Sequence, residues 1–173
     1  MSGSEPLIAS GPERHRQRLA TGALVFIVLL LIQFGVGMSI NLFVGISRHH
    51  PGAGAHEFFS GTFRSVSWAI AHGPTALAIH ASLGLLLALG SIGQFVQAIR
   101  WGTTGMKWAT GVGMVFVLGA GFNGGSFLNY NEDVNSLLMA LLFGAAIACY
   151  ATVLFLLTKP RNERAHRRPV KLA

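Results

Sequence analysis

Residues 77–90 read LAIHASLGLLLALG. Apart from His80 and Ser82, every residue in the stretch is apolar or glycine. Whether a histidine there is ordinary or functional depends on what surrounds the helix. The whole chain answers that first. Of its 173 residues 51% are hydrophobic and only 11% charged, with a mean hydropathy of +0.53. An ordinary soluble domain carries more than twice that share of charge. Four runs, 21–46, 74–99, 108–128 and 134–158, are long and apolar enough to cross a bilayer as helices. Backbone groups in lipid must be satisfied within each segment, so each run is expected to be helical. The first run is too long for a cleavable signal peptide and lacks a small-x-small cleavage site close behind it. The expected fold is therefore all-α, one integral membrane four-helix bundle over 21–158, with tails at 1–20 and 159–173.

Charge sets the orientation. The formal net charge is +7, a value that in a soluble chain would raise nucleic acid as a partner. Here the cations are sorted by connection. Arg14, Arg16 and Arg18 precede the first run, Arg100 and Lys107 flank the connection between the second and third, and six more lie in the tail after 158. Only Arg48 and Arg64 fall on the opposite side, near Glu57, Glu132 and Asp133. The positive-inside rule then puts both termini in the cytoplasm of a cell that carries the protein in its plasma membrane, a bacterial inner membrane. An outer loop spans 47–73, and the basic tail is expected to lie on anionic lipid. Cys149, the single cysteine, falls within the fourth run and reads as a small buried filler.

A weak internal repeat runs through the helices. GVGM at 35–38 resembles GAGF at 119–122, and SLGLLLALG at 82–90 resembles SLLMALLFG at 136–144. The chain thus reads as two repeated helical hairpins about an axis along the membrane normal. Gly121 and Gly125 form a GxxxG pair in the third run, and small residues let helix backbones approach closely in lipid. Packing within the bundle, a homo-oligomer face, or space for a flat ligand against the backbone would each use such a pair, and a larger membrane complex is the other expected partner.

His80 lies six residues beyond Pro74, about 9 Å into the membrane at 1.5 Å per residue. Ionisable groups at that depth usually face the bundle and mark a function. Gly84 is one turn away on the same face. Two readings follow. His80 is a hydrogen-bonded polar contact, with Gln33 or Asn123 as partner, or it is an axial ligand of a haem whose ring lies against the bare backbone at Gly84. His72 is eight residues away, about 12 Å along the axis, so the two cannot share an iron. Met139 in the fourth run offers a thioether as second ligand, Glu132 or Asp133 could cap a metal from above, and five-coordinate iron needs neither.

QFGVG at 33–37 followed by HASLG at 80–84 resembles the four-helix b-haem bundles of the haem A synthase and cytochrome b561-like kind. The likeness covers roughly residues 24–157. It implies haem b as cofactor, with His80 as ligand and Gly84 as a packing residue, and an electron-transfer module as function. In the fourth run, where such bundles place a partner histidine, this chain has EDVNS at 132–136. The long loop and GFNGGSFLNYN at 121–131 also resemble uncharacterised actinobacterial four-helix membrane proteins, a likeness that implies no activity.

Two further constellations stand apart. RHHPGAGAHE at 48–57 gathers His49, His50, His56 and Glu57, donors suited to Zn²⁺ or Cu²⁺. Pro51, Gly52 and Gly54 make that stretch a turn, and no histidine pair has helical spacing. Solvated histidines covering the bundle mouth are the simpler expectation. In FFSGTFRSVSW at 58–68, Phe58, Phe59, Phe63 and Val66 recur at helical spacing, as in an amphipathic interfacial helix anchored by Trp68. In NGGSFLNYNED at 123–133, Gly124 and Gly125 could break a helix to expose carbonyls, as in transporters. Alternatively Asn129 and Asn131 form a turn, and Asp133 or Asn135 caps the next helix. No nucleophile elbow, phosphate loop or dinucleotide fingerprint occurs. The functional choice is between a haem-binding redox module and a non-catalytic bundle, an accessory subunit or small-solute carrier assembling through its glycine faces.

Overall fold

The computed structural model describes residues 11–158. The expectations for the extreme N-terminus and for the basic tail from 159 lie outside the described residues. The architecture is all-α with five helices: α1 Gly11–Phe43, α2 Phe58–His72, α3 Thr75–Trp101, α4 Thr104–Tyr130 and α5 Asp133–Thr158. Four of them, all but α2, are long and apolar enough to span a membrane.

The helix ends follow local chemistry. α3 starts directly after Pro74, whose ring forbids an earlier helical start for its neighbour, and stops before Gly102. The Thr103 side chain accepts a hydrogen bond from the Met106 N–H and so caps α4. Asn131 ends α4 in the left-handed conformation, φ 55 and ψ 43, and its N–H returns to the Phe127 carbonyl. α4 runs unbroken through Gly124 and Gly125, so the expected alternative of a broken helix there is corrected. Each Gly costs about 1 kcal/mol in a helix, but packing on both sides outweighs that (below). Asn129 is helical and buried, not part of the turn. α1 extends ten residues ahead of the apolar run and ends at Phe43 rather than 46, although the Val44 N–H still reaches the Ile40 carbonyl.

The four long helices close into a ring in which α1 touches α3 and α5, α3 touches α4, and α4 touches α5. α2 packs on α3 and α4. Neighbours in the ring run antiparallel, so both chain ends meet at one end of the bundle, where Arg16 of α1 donates to the Leu157 carbonyl of α5. The core has three tiers. Leu19, Ala23, Met106, Val153 and Leu157 pack at the termini end. Phe26, Leu30, Leu87, Val117, Phe143 and Tyr150 fill the middle. Ile40, Ala69, Leu77 and Leu128 pack at the loop end. The outer faces carry exposed Leu, Ile, Val and Phe along all four long helices. That is an unstable surface in water and the expected one in lipid, where packing rather than hydrophobic burial holds helices together.

The segment before α2 is clasped onto α4. The Gly54 N–H donates to the Asn129 carbonyl at 2.8 Å, and the Ala55 N–H to Asn129 Oδ1 at 3.1 Å. Gly52 and Gly54 have positive φ, 99 and 65. Gly52 also sits so close to α2 that an added Cβ would fall 2.6 Å from Ser65 Oγ.

Candidate functional site

Three polar residues of the membrane interior, Gln33, Asn41 and His80, lie on stripes of small residues on α1 and α3. On α1, Gln33, Gly37 and Asn41 are four residues apart. On α3, His80, Gly84 and Ala88 repeat that spacing. Between the stripes, at the loop half of the bundle, lies a cavity of about 320 Å³, near the lower limit for small-molecule sites. α4 closes it with Gly121 and Gly124, α5 with Ser136, Met139 and Phe143, and Thr62 and Val66 of α2 stand over it. A second volume of about 410 Å³ shares His80, Gln33, Gly37, Asn41, Ser136 and Met139. Its walls include Phe34, Met38 and Leu137, all exposed on the bundle perimeter. The site therefore opens sideways toward lipid, between α1 and α5, and Asp133 stands at its outer rim.

Gln33 decides the state of His80. Its Nε2 donates to the His80 backbone carbonyl at 2.9 Å and lies 3.3 Å from His80 Nε2. An amide nitrogen only donates, so the ring Nε2 accepts and the ring proton sits on Nδ1. His80 Nδ1 and Gln33 Oε1 are both buried without a partner. One is a donor and the other an acceptor, and leaving each unpaired costs about 1–3 kcal/mol. Two glycines make the arrangement possible. A Cβ on Gly37 would sit 2.8 Å from His80 Cε1, and one on Gly84 would sit 3.1 Å from Gln33 Nε2.

Of the two expected partners, then, His80 takes Gln33. Asn123 instead donates to the Gly119 carbonyl of its own helix at 2.8 Å. Gly84 lines the cavity, but not as bare backbone. The Gln33 amide covers it, so these side chains as they stand do not fit a macrocycle against that backbone. Met139 shares both volumes with His80, and its sulfur packs toward Gly124, 3.2 Å from a Cβ built there. Gly121 and Gly125 part company. Gly121 opens on the cavity with nothing within 4 Å of an added Cβ, whereas Gly125 is buried against Thr62 of α2.

The expected loop ligands do not converge. Among the described residues no three His, Cys, Asp or Glu side chains are grouped to hold a metal. His49 and His56 are exposed. His50 turns inward, stacks on Trp68 with centroids 4.4 Å apart, and brings Nε2 to 3.1 Å from the Leu128 carbonyl. That carbonyl is in the last turn of α4, where no partner exists inside the helix. The turn at Pro51, Gly52 and Gly54 is what separates His50 from His56. Trp68 is consequently held by His50 and by the loop-end core rather than standing free as an anchor, while Phe59 and Phe63 of α2 remain exposed. Glu132 is exposed beside the rim. Cys149 lies against Gly113 as a free thiol.

Reading the sequence missed Gly37, Asn41 and Ser136 as site residues. The signal was present: Gln33, Gly37 and Asn41 form a three-residue polar and small stripe at four-residue spacing in a mostly apolar run. Compared with family models, curated proteins and solved structures, the chain matches none.

Proposed function

We propose that this multi-pass membrane protein binds a lipid-soluble small molecule in the crevice between α1 and α5, with His80 and Gln33 gripping its head group. The observation that carries this reading is the unpartnered donor–acceptor pair, His80 Nδ1 and Gln33 Oε1, beside an apolar cavity that reaches the lipid-facing perimeter. Both atoms are covered as the side chains stand, and a hydroxyl, or a carboxylic acid, would satisfy them once the imidazole and the amide turn toward the cavity they line, since each group donates and accepts. The apolar walls take the body of the molecule. A ligand of this kind enters from the bilayer and needs no water-filled path. Asn41 and Ser136 extend the polar strip from His80 toward Asp133.

Haem b, with His80 as axial ligand and Met139 as thioether ligand, is the second reading. It is favoured by the sharing of both volumes by these two side chains, and it requires Gln33 to leave Gly84 and the ring nitrogen it occupies. The group would supply one-electron redox chemistry. The chain's own contribution would be to ligate it and exclude water. A non-catalytic accessory or carrier role uses the same crevice. The burial of Gly125 against α2 of the same chain supports packing within the bundle over an assembly face at that glycine. Both termini are read as cytoplasmic, supported by five cations at that end of the described chain against two at the other. The likeness of the two halves supports the two-hairpin reading.

One preparation tests these readings. The protein is purified in mild detergent after growth with ample haem, its absorbance recorded oxidised and dithionite-reduced, and its organic extract analysed by mass spectrometry. The crevice reading expects a hydroxyl- or carboxyl-bearing lipophilic compound in the wild-type extract, depleted in His80→Leu and Gln33→Leu proteins that keep their helix content. Identical extracts from all three overturn it. A Soret band that disappears in His80→Ala would replace it with the haem reading, and a clean spectrum removes haem.

A further inference from the structure

The termini end of the bundle has a groove that the crevice does not explain. It runs between α1 and α3 and is lined by Arg14, Gln17, Arg18 and Thr21 with Gly22 on α1, and by Gln97 on α3. Arg14 and Arg18 are one turn apart and share a helix face. No acidic side chain is among these lining residues. Glu13 is the one carboxylate at this end among the described residues, against Arg14, Arg16, Arg18, Arg100 and Lys107.

The groove is built by contacts between the same two helices. At its membrane side Gly22 leaves room for the Gln94 amide to lie on α1, where any Cβ would collide with it. At its outer side His15 of α1 stacks on Trp101 of α3, centroids 4.5 Å apart and planes 9° apart. Thr21 begins the apolar run of α1, and Gln97 lies one turn inside the end of α3. The arginines therefore precede the apolar run, as groups that meet lipid phosphates do. Toward the middle of the membrane α1 presents exposed Val25 one turn beyond Thr21, and on α3 Gly93, one turn from Gln97, leaves open space where an added Cβ meets nothing within 4 Å. A phosphate in the groove thus continues into an apolar surface suited to acyl chains.

We propose that this groove is a binding site for an anionic phospholipid, with Arg14 and Arg18 holding the phosphate and the Gln97 amide donating to the head group. Arginine forks match phosphate oxygens in geometry as well as charge. The lipid bridges α1 and α3 where α1 leaves the bundle's apolar core. This site is independent of the crevice at the other end.

Native mass spectrometry of the full chain, released from nanodiscs of phosphatidylcholine mixed with phosphatidylglycerol, tests it. The wild type is expected to retain one phosphatidylglycerol in preference to phosphatidylcholine. The Arg14→Gln/Arg18→Gln protein should retain it about thirtyfold more weakly, roughly fivefold for each basic residue near an anionic surface. Gln97→Leu, which keeps every charge, should weaken retention by a smaller factor and stands in if the double variant fails to fold. The Arg100→Gln/Lys107→Gln protein loses the same charge outside the groove. Equal weakening there would mean bulk attraction and overturn the site, as would indifference between the two lipids. Displacement of the lipid by millimolar inorganic phosphate would overturn the assignment to a lipid head group.

Discussion

The Gln33 amide of α1 crosses to α3 and donates to the His80 carbonyl at 2.9 Å, with the His80 ring nitrogen 3.3 Å away. This is a side chain tying two spanning helices through a backbone carbonyl that also belongs to its own helix ladder. Gln33 is 2% exposed, so water does not compete for it.

Replacing Gln33 by Leu should therefore destabilise the bundle by about 0.6 kcal/mol and at most about 1.7, the range for interhelical hydrogen bonds in lipid. Reversible unfolding in mixed micelles measures it. A loss in the double variant Gln33→Leu/His80→Leu equal to the sum of the two single losses would show that the pair is not coupled.

Gly37 and Gly35 make a matched pair on one helix. A Cβ at Gly37 would press to 2.8 Å from His80 Cε1, whereas one at Gly35 meets nothing within 4 Å. Gly37→Ala should displace the imidazole and deplete the bound compound. Gly35→Ala should leave binding unchanged and raise stability by roughly 0.5–1 kcal/mol, through the lower entropy cost of alanine. Thermal unfolding and extract analysis on the two proteins check both halves. Equal effects at the two positions would remove the steric account of Gly37.

Gly125 governs α2. Its backbone lies against Thr62, which has no room for a Cβ, and Thr62 stands over the cavity. Gly125→Ala should cost about 1–3 kcal/mol by overpacking and should speed hydrogen exchange across Phe58–His72 more than in α5. Gly121→Ala, facing open space, should not change exchange in α2. Unchanged protection of α2 in the Gly125 variant would show that α2 does not depend on that contact.

What a residue does inside the bundle was only partly legible. The stretch around His80 announced a buried polar contact, and Gln33 was one of two partners that depth allowed. Gly84 announced a bare patch, but not that an amide from another helix fills it. Gly121 and Gly125 looked like one packing face, and both border the cavity, yet only Gly125 also carries α2. The histidines at 49, 50 and 56 share a short segment but are not grouped as ligands: His50 turns inward onto Trp68 while His49 and His56 are exposed, with two positive-φ glycines between His50 and His56.

The sequence alone carried four apolar helices, though not where they end, and the helical spacing of Phe58, Phe59, Phe63 and Val66. It also marked Asn131 as a turn residue, though wrongly together with Asn129. These depend on local periodicity, backbone satisfaction in lipid, and turn chemistry, all written within a few residues. Only the tertiary structure decided that α1 closes the ring against both α3 and α5, that Gln33 rather than Asn123 meets His80, and that a crevice remains between α1 and α5. The reason is physical. In a membrane the faces that pack and the faces that meet lipid are equally apolar, so periodicity marks a helix without marking its neighbour. Which faces meet depends on how small residues such as Gly37 and Gly84 fit against side chains far away in the chain.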